Sequence, residues 1–363
     1  MFDLEPTDEQ KLIRDTVGSF AKERIAPIAR DCDESGSIPK DVVDQAWELG
    51  LIHSPIPEEQ GGYGEERSAV TGAIVAEELG AGDVSIAMHV LAPRLVAYPV
   101  LDGGTPEQRK QVLPRFTKEF HAATAAVVEP RFDFDTSRFA TTARRANGSY
   151  VLDGQKCFVP LAEESDLFLV LAESDDGPAA FLVERGAAGL EVLEREKNMG
   201  LKPLATNEIA LRGVKVPADA RVGGEAGFDV SRMLNLSRIG LCSLAIGMAR
   251  SAFEFAREYA KERKAFGVPI AQKQAIAFML ADMAIEIDAA RLLTWEAAAK
   301  LDKGEDATRE CFLAKRYCAA QVLKITDNAV QVLGGHGYIR DFPVELWFRN
   351  ARGFSSFEGM AIV

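Results

Sequence analysis

The sequence predicts an α+β multidomain chain in three parts: an N-terminal α-helical domain over residues 1–120, a middle β-barrel or sandwich over 121–228, and a C-terminal four-helix-bundle domain over 229–363. Three observations carry this reading. Apolar residues recur at helical spacing behind cap residues in the first part, and from about Ala122 the apolar runs shorten to strand length. The last part holds three long helical stretches broken only at FGVPIAQ and LDKGED.

In the first part, Thr7 with Gln10 three residues on makes a capping box, so a helix starts near Asp8 and carries Leu12, Ile13, Val17 and Phe20 on one face. Pro27 marks a kink or break. A second helix is expected from Pro39 to Leu49, then a turn-rich loop IPEEQGGYGEE and a helix from Ser68 to Gly80. Asp83 to Leu101 and Thr105 to Phe116 complete the helical set, the latter with Thr-Pro as cap and first helical residue.

The middle part reads as strands in TAAVVEP, YVLDGQKCFVP, LFLVLAE, AAFLVER and NEIALRGVKVP, each bounded by Gly, Pro or Asp. Asp153-Gly154 has the chemistry of a tight hairpin turn. In the last part, Met233 to Lys264, Gln274 to Lys300 and Ala307 to Leu333 are helices reaching ~45 Å, a length that packs side by side as a bundle.

At 363 residues the chain is long enough for two or three cores. A net charge of −13 argues against nucleic acid or an anionic membrane as partner, because counterion release needs a basic face. Five cysteines without a Cys-x-x-Cys give neither a disulfide framework nor a zinc ribbon, and Cys311 and Cys318 fall on one helix face as core. MFDLEPTDEQ has no basic and apolar leader pattern, and no apolar run approaches the ~20 residues of a membrane span. A cytoplasmic protein without membrane insertion is the expectation. Asp282 and Glu286 lie four apart on a helix with no histidine near them in sequence, so no metal site is expected.

The chemistry concentrates between Asn328 and Met360. Gln331, Gly334, Gly335, Gly337 and Tyr338 end a long helix in a glycine-rich turn that would let backbone N–H groups approach a phosphate. Another helix begins between Asp341 and Arg352. Phe357-Glu358-Gly359 then sets a carboxylate in an apolar context. His336, inside the glycine turn, reads as solvent-facing.

The words QVLGGHGY, DFPVELWFRNAR and FEG, with YAKERKAFGVPIAQKQAIAFMLADM from Tyr259 to Met283, closely resemble signatures of the acyl-CoA dehydrogenase family, and the order helical, β, helical resembles it over essentially the whole chain. The resemblance implies FAD as cofactor, an acyl-CoA thioester as substrate and α,β-dehydrogenation as reaction, with electron-transfer flavoprotein as the partner that reoxidises the flavin. It implies Glu358 as the base, since the alternative position used by some relatives is Ser237 here. Arg263, Gln274, Gln331, Gly334 and Gly335 would hold the pyrophosphate and AMP half of an FAD brought by a neighbouring subunit, so a dimer or larger oligomer follows. Asn235 and Arg238 fall where relatives bind the CoA adenine, with Asn in place of the usual Asp.

The chain departs from the family where relatives touch their own flavin. Val128-Glu129-Pro130 replaces Thr-Glu-Pro, Asp133-Phe134-Asp135 replaces Gly-Ser-Asp, Phe158-Val159-Pro160 replaces Trp-Ile-Thr, and Met360 follows Glu358-Gly359 in place of Thr. Phe134, Phe158 and backbone N–H groups around Val128 and Val159 would have to make those contacts. The departures lie on the subunit's own flavin side, while the positions that would serve a neighbour's flavin are kept. Two other readings of the same residues are a partner subunit completing the FAD site of a paralogue in a hetero-oligomer, and an acyl-CoA-binding member without redox activity.

Overall fold

The computed structural model describes residues 5–363; the first four residues of the N-terminal stretch read above lie outside them. Seven α-helices come first: α1 (Asp8–Phe20), α2 (Ala29–Ser35), α3 (Lys40–Glu48), α4 (Ala69–Gly82), α5 (Val84–Leu91), α6 (Arg94–Gly103) and α7 (Pro106–Val112). The capping box at Thr7 forms as the sequence implies, and Thr105 caps α7 as expected, there also as a capping box with Gln108. At Pro27 the chain passes from a π-turn over Ala21–Ile25 to a 3-10 turn over Ala26–Ile28, so the helix is interrupted there. The stretch expected to be helical from Asp83 to Leu101 is two helices bent by 44° around Pro93, which has no N–H to donate to the preceding turn and whose ring crowds it.

The middle strands are β1 (Ala123–Ala126), β2 (Thr142–Ala146), β3 (Ser149–Pro160), β4 (Leu167–Ser174), β5 (Gly177–Glu184), β6 (Leu190–Arg195) and β7 (Thr206–Pro217). They form one sheet in the order β1-β4-β2-β3-β7-β6, with β5 paired to β4. β4 runs parallel to β1 and β2, and the other pairs are antiparallel. Asp153-Gly154 is not a hairpin turn. It lies inside β3, where the register against β7 shifts between Leu152 and Gly154, and Asp153 accepts the Gly213 N–H at 2.7 Å. The tight turn is Asn147-Gly148, both at positive φ, joining β2 to β3. An Asn-Gly pair suits that turn better than Asp-Gly inside a long alternating run.

The last part holds α8 (Val230–Glu262), a two-stranded hairpin of β8 (Lys264–Ala265) and β9 (Val268–Pro269), α9 (Gln274–Asp302), α10 (Thr308–Leu333), the single turn α11 (Gly335–Tyr338) and α12 (Val344–Ala351). α8, α9 and α10 pack on one another, and α4 joins them against α8 and α9. The close approach of α4 to α8 needs small residues: a Cβ on Gly80 would overlap the Leu244 carbonyl, and one on Gly247 the Glu77 carbonyl. α8 is long and apolar enough to cross a membrane by length and composition, but 72% of its most apolar window is buried inside the protein, as in a core helix. One core runs through both helical parts, and a second, around Phe168, Phe181, Leu152 and Ile209, lies against the sheet. All five cysteines are buried free thiols.

Candidate active site

α12 and a 3-10 turn over Arg352–Ser355 lead the chain into the turn that carries Glu358. Gly359 takes φ +66° and faces the Val127 side chain so closely that a Cβ would overlap it, so this position requires glycine. Its N–H donates to Ser237 Oγ on α8 at 3.1 Å. The Ser237 position therefore holds the turn that presents Glu358. Met360 to Val363 continue, buried, with Ile362 against Gly240 on α8 and Val363 against Gly72 on α4.

Two cations face the Glu358 carboxylate. Arg238 Nε is 3.4 Å from Oε2, and Lys315 Nζ is 3.8 Å from Oε1. The Arg238 contact is within ion-pair reach but outside hydrogen-bond alignment, so Glu358 Oε2 and Arg238 Nε are both buried without a hydrogen-bond partner. The rest of the Arg238 guanidinium is fixed: it donates to Asn235 Oδ1 at 3.3 Å and to Thr136 Oγ1 at 2.9 Å. Asn235 in turn donates to Thr308 Oγ1 at 3.0 Å, so its amide links Arg238 to the start of α10. The site thus joins α8, α10, the 131–141 loop and the Glu358 turn around one carboxylate with an open lone pair.

The middle sheet closes against this turn. The Phe158 ring meets the Phe357 ring at 6.1 Å, and Phe357 meets Phe354 at 5.5 Å, both edge to face. Phe158 has φ +50°, and its N–H donates to Glu196 at 3.1 Å. That N–H is not open to replace a lost hydroxyl contact, contrary to the expectation from sequence, and Val159 is paired with Asn207 across β7. Val128 is buried, its carbonyl accepting the Cys157 N–H at 2.9 Å. Beneath them lies a fully buried ion pair. Lys156 Nζ stands 3.1 Å from Glu129 and 3.1 Å from the Val127 carbonyl, and Glu129 accepts the N–H groups of Ala140 and Thr141. Burial pushes the Lys156 ammonium down to about 8.

A separate recess of about 340 Å³ is lined by Tyr259, Arg263, Ile270, Val332 to Gly335 and His336. α10 stops at Gly334, whose φ +59° and ψ −129° only glycine adopts readily. A Cβ on Gly334 or Gly335 would meet nothing, so the turn is open to an incoming group. The Arg263 guanidinium is exposed and has no ion-pair or hydrogen-bond partner among the described residues. A bare guanidinium beside an accessible glycine turn fits a phosphate-bearing group. These residues fit the pyrophosphate half of a dinucleotide.

Of the residues singled out from sequence, the structure gathers Glu358, Arg238 and Asn235 at one place, Phe158 at its wall, and Arg263, Gly334 and Gly335 at the other. Gln274 opens α9 and Gln331 sits on the exposed face of the last turn of α10; neither lines the recess. His336 is not solvent-facing. Its Nδ1 is 2.7 Å from Tyr259 Oη, and its ring stacks on Phe342 at 5.0 Å. Sequence reasoning also missed Lys315 and Phe266. Phe266 is 96% exposed at the tip of the β8–β9 hairpin, three residues from Arg263. Its signal was there: Phe-Gly between two short strands forms a turn with both residues at positive φ, which displays an apolar ring to solvent.

A half-buried carboxylate between two cations and a separate arginine-glycine recess suited to phosphate are the two sites that the fold presents. The chain belongs to the acyl-CoA dehydrogenase family. The family's N-terminal, middle and C-terminal domain models match residues 7–119, 124–214 and 225–361. It is 34% identical to cyclohexane-1-carbonyl-CoA dehydrogenase of Geobacter metallireducens over 97% of this chain and 94% of that protein. It is equally 34% identical to a subunit of the caffeyl-CoA reductase–Etf complex of Acetobacterium woodii, over 98% and 96%. The structure superposes on butyryl-CoA dehydrogenase from Megasphaera elsdenii with a TM-score of 0.89 at 31% identity, over 99% of this chain and 96% of that one.

Proposed function

We propose that Glu358 is the base by which this FAD-dependent acyl-CoA dehydrogenase removes the proton α to the thioester carbonyl. The observation that carries the reading is the carboxylate itself: it is held between two cations, and its buried Oε2 has no hydrogen-bond partner, which leaves a lone pair open to a proton. FAD supplies the hydride acceptor for the β carbon that no side chain offers. Arg263 and the Gly334-Gly335 turn would hold its phosphates, and Gln274 and Gln331 its AMP end. The Val128 and Phe158 positions give the middle sheet's contact to the ring. Arg238, held by Asn235, orients Glu358, and the two would bind the CoA portion of the substrate.

The rest of the reading follows from the family. The electron acceptor is an electron-transfer flavoprotein, in keeping with the Etf complex to which one relative belongs. The protein is an oligomer, dimer or tetramer, in which Arg263 serves a neighbour's FAD, and it works in the cytoplasm without membrane insertion. Its domains divide near 120 and 228, with a barrel-like middle sheet and a four-helix bundle at the C-terminal end. One observation favours a second reading, a subunit that completes a paralogue's FAD site in a hetero-oligomer: Phe158 and Phe357 touch directly where the sheet meets the catalytic turn. Glu358→Gln tests the first reading. It should leave acyl-CoA binding near wild type and lower turnover by ~10²–10⁴.

A further inference from the structure

We propose that Lys315 is the positioning residue for Glu358, setting both the shape of its turn and the place of its carboxylate. The inference rests on the reading of Glu358 as the base. Lys315 sits on α10 and is buried, with all its polar contacts on one short segment. Its Nζ donates to the Phe354 carbonyl at 3.0 Å and to the Phe357 carbonyl at 2.7 Å, and stands 3.8 Å from Glu358 Oε1. An ammonium has three donors. Two of them tie the ends of the 354–357 turn to a helix of 26 residues packed against α8 and α9. The remaining face of the charge is turned to the carboxylate.

The geometry separates two tasks. The carbonyl bonds fix where the Glu358 backbone leaves the turn, and both carbonyls would be left without this donor if the ammonium were removed. The charge draws the carboxylate toward α10 by Oε1, the oxygen that Arg238 does not face, at a distance too long for a hydrogen bond. The carboxylate is therefore held in place without its lone pairs being occupied. A general base misplaced by an ångström loses much of its rate, so a residue that touches only the turn can govern turnover without touching substrate.

The test is a double-mutant cycle on the intact, FAD-loaded protein, with butyryl-CoA as the probe thioester. Lys315→Met should lower kcat by about 10–100-fold while KM moves by less than about 3-fold, and Lys315→Arg should recover part of the loss. In a Glu358→Gln background, Lys315→Met should change the residual rate by less than about 2-fold, because both substitutions act through one group. Amide exchange in residues 353–359 should quicken in Lys315→Met. If Lys315→Met does not fold, Lys315→Gln takes its place in the same cycle, the uncharged amide NH₂ keeping donors for the carbonyls. An equal loss in both backgrounds would mark Lys315 as a general structural residue and overturn the proposal, as would an unchanged kcat. Full turnover in Glu358→Gln alone would instead overturn the reading of Glu358, which keeps the two failures distinct.

Discussion

The ring of Phe158, at the end of a strand of the middle sheet, stands edge-on to the ring of Phe357, one residue before the proposed base, with centroids 6.1 Å apart and planes at 67°. This contact couples the sheet to the catalytic turn. Phe158 holds its place at φ +50°, a strained region for an aromatic residue, because its N–H is fixed by Glu196 and its ring by Phe357. Phe158→Ala should cost about 1–2 kcal/mol, as expected for truncating a half-buried aromatic, and lower the melting temperature. Phe158→Trp should keep the contact and the stability. Thermal melts of the two variants against wild type check this, and equal melts for all three would remove the coupling.

Arg263 and the Gly334 turn form a recess that makes sense with a phosphate in it. Arg263→Ala should lower the FAD retained after dilution by at least about tenfold, the loss expected for a charge-assisted contact of ~1.5–3 kcal/mol. It should leave the melting temperature of the flavin-free chain unchanged, since the guanidinium has no partner among the described residues. Flavin absorbance before and after gel filtration measures the first quantity directly. Retention equal to wild type would place the phosphates elsewhere.

Asp83 makes stability depend on pH. Its carboxylate caps α5 through the N–H groups of Ser85 and Ile86, and burial pushes it from 3.8 up to about 6. Between those values the folded chain keeps a proton that the unfolded chain has released. Stability from this group is therefore present below about 3.8 and is lost as pH rises toward 6, by up to roughly 3 kcal/mol. Asp83→Asn keeps a cap oxygen and has no charge to bury. Its melting temperature relative to wild type should rise by a few degrees from pH 4 to pH 7, and a difference constant with pH would contradict the assignment.

Much of this was legible in the residues because it depends on local chemistry. Thr7 with Gln10, and Thr105, cap the helices they were expected to cap, and Ala122 onward turns to strands where the apolar period shortens. Glu358 could be picked out from Phe-Glu-Gly, but its surroundings could not. Lys315 is 43 residues away on α10, and only the packing of α10 against the final turn brings them together. The same holds for Tyr259 and His336, whose pairing depends on where α8 passes α11. The Asp153-Gly154 turn failed for a related reason: of two turn-like dipeptides close in sequence, Asn147-Gly148 bends and Asp153-Gly154 is drawn inside β3 by its pairing with β7.

The most direct measurement is the flavin spectrum of the purified protein during mixing with an acyl-CoA in the absence of any other electron acceptor. In the wild type the oxidised flavin band should bleach within the mixing experiment, as expected if Glu358 removes the α proton while FAD takes the β hydride. In Glu358→Gln the same amount of FAD should be bound and the acyl-CoA should still bind, with bleaching slowed by ~10²–10⁴. Bleaching of the Glu358→Gln flavin at the wild-type rate would contradict Glu358 as the base.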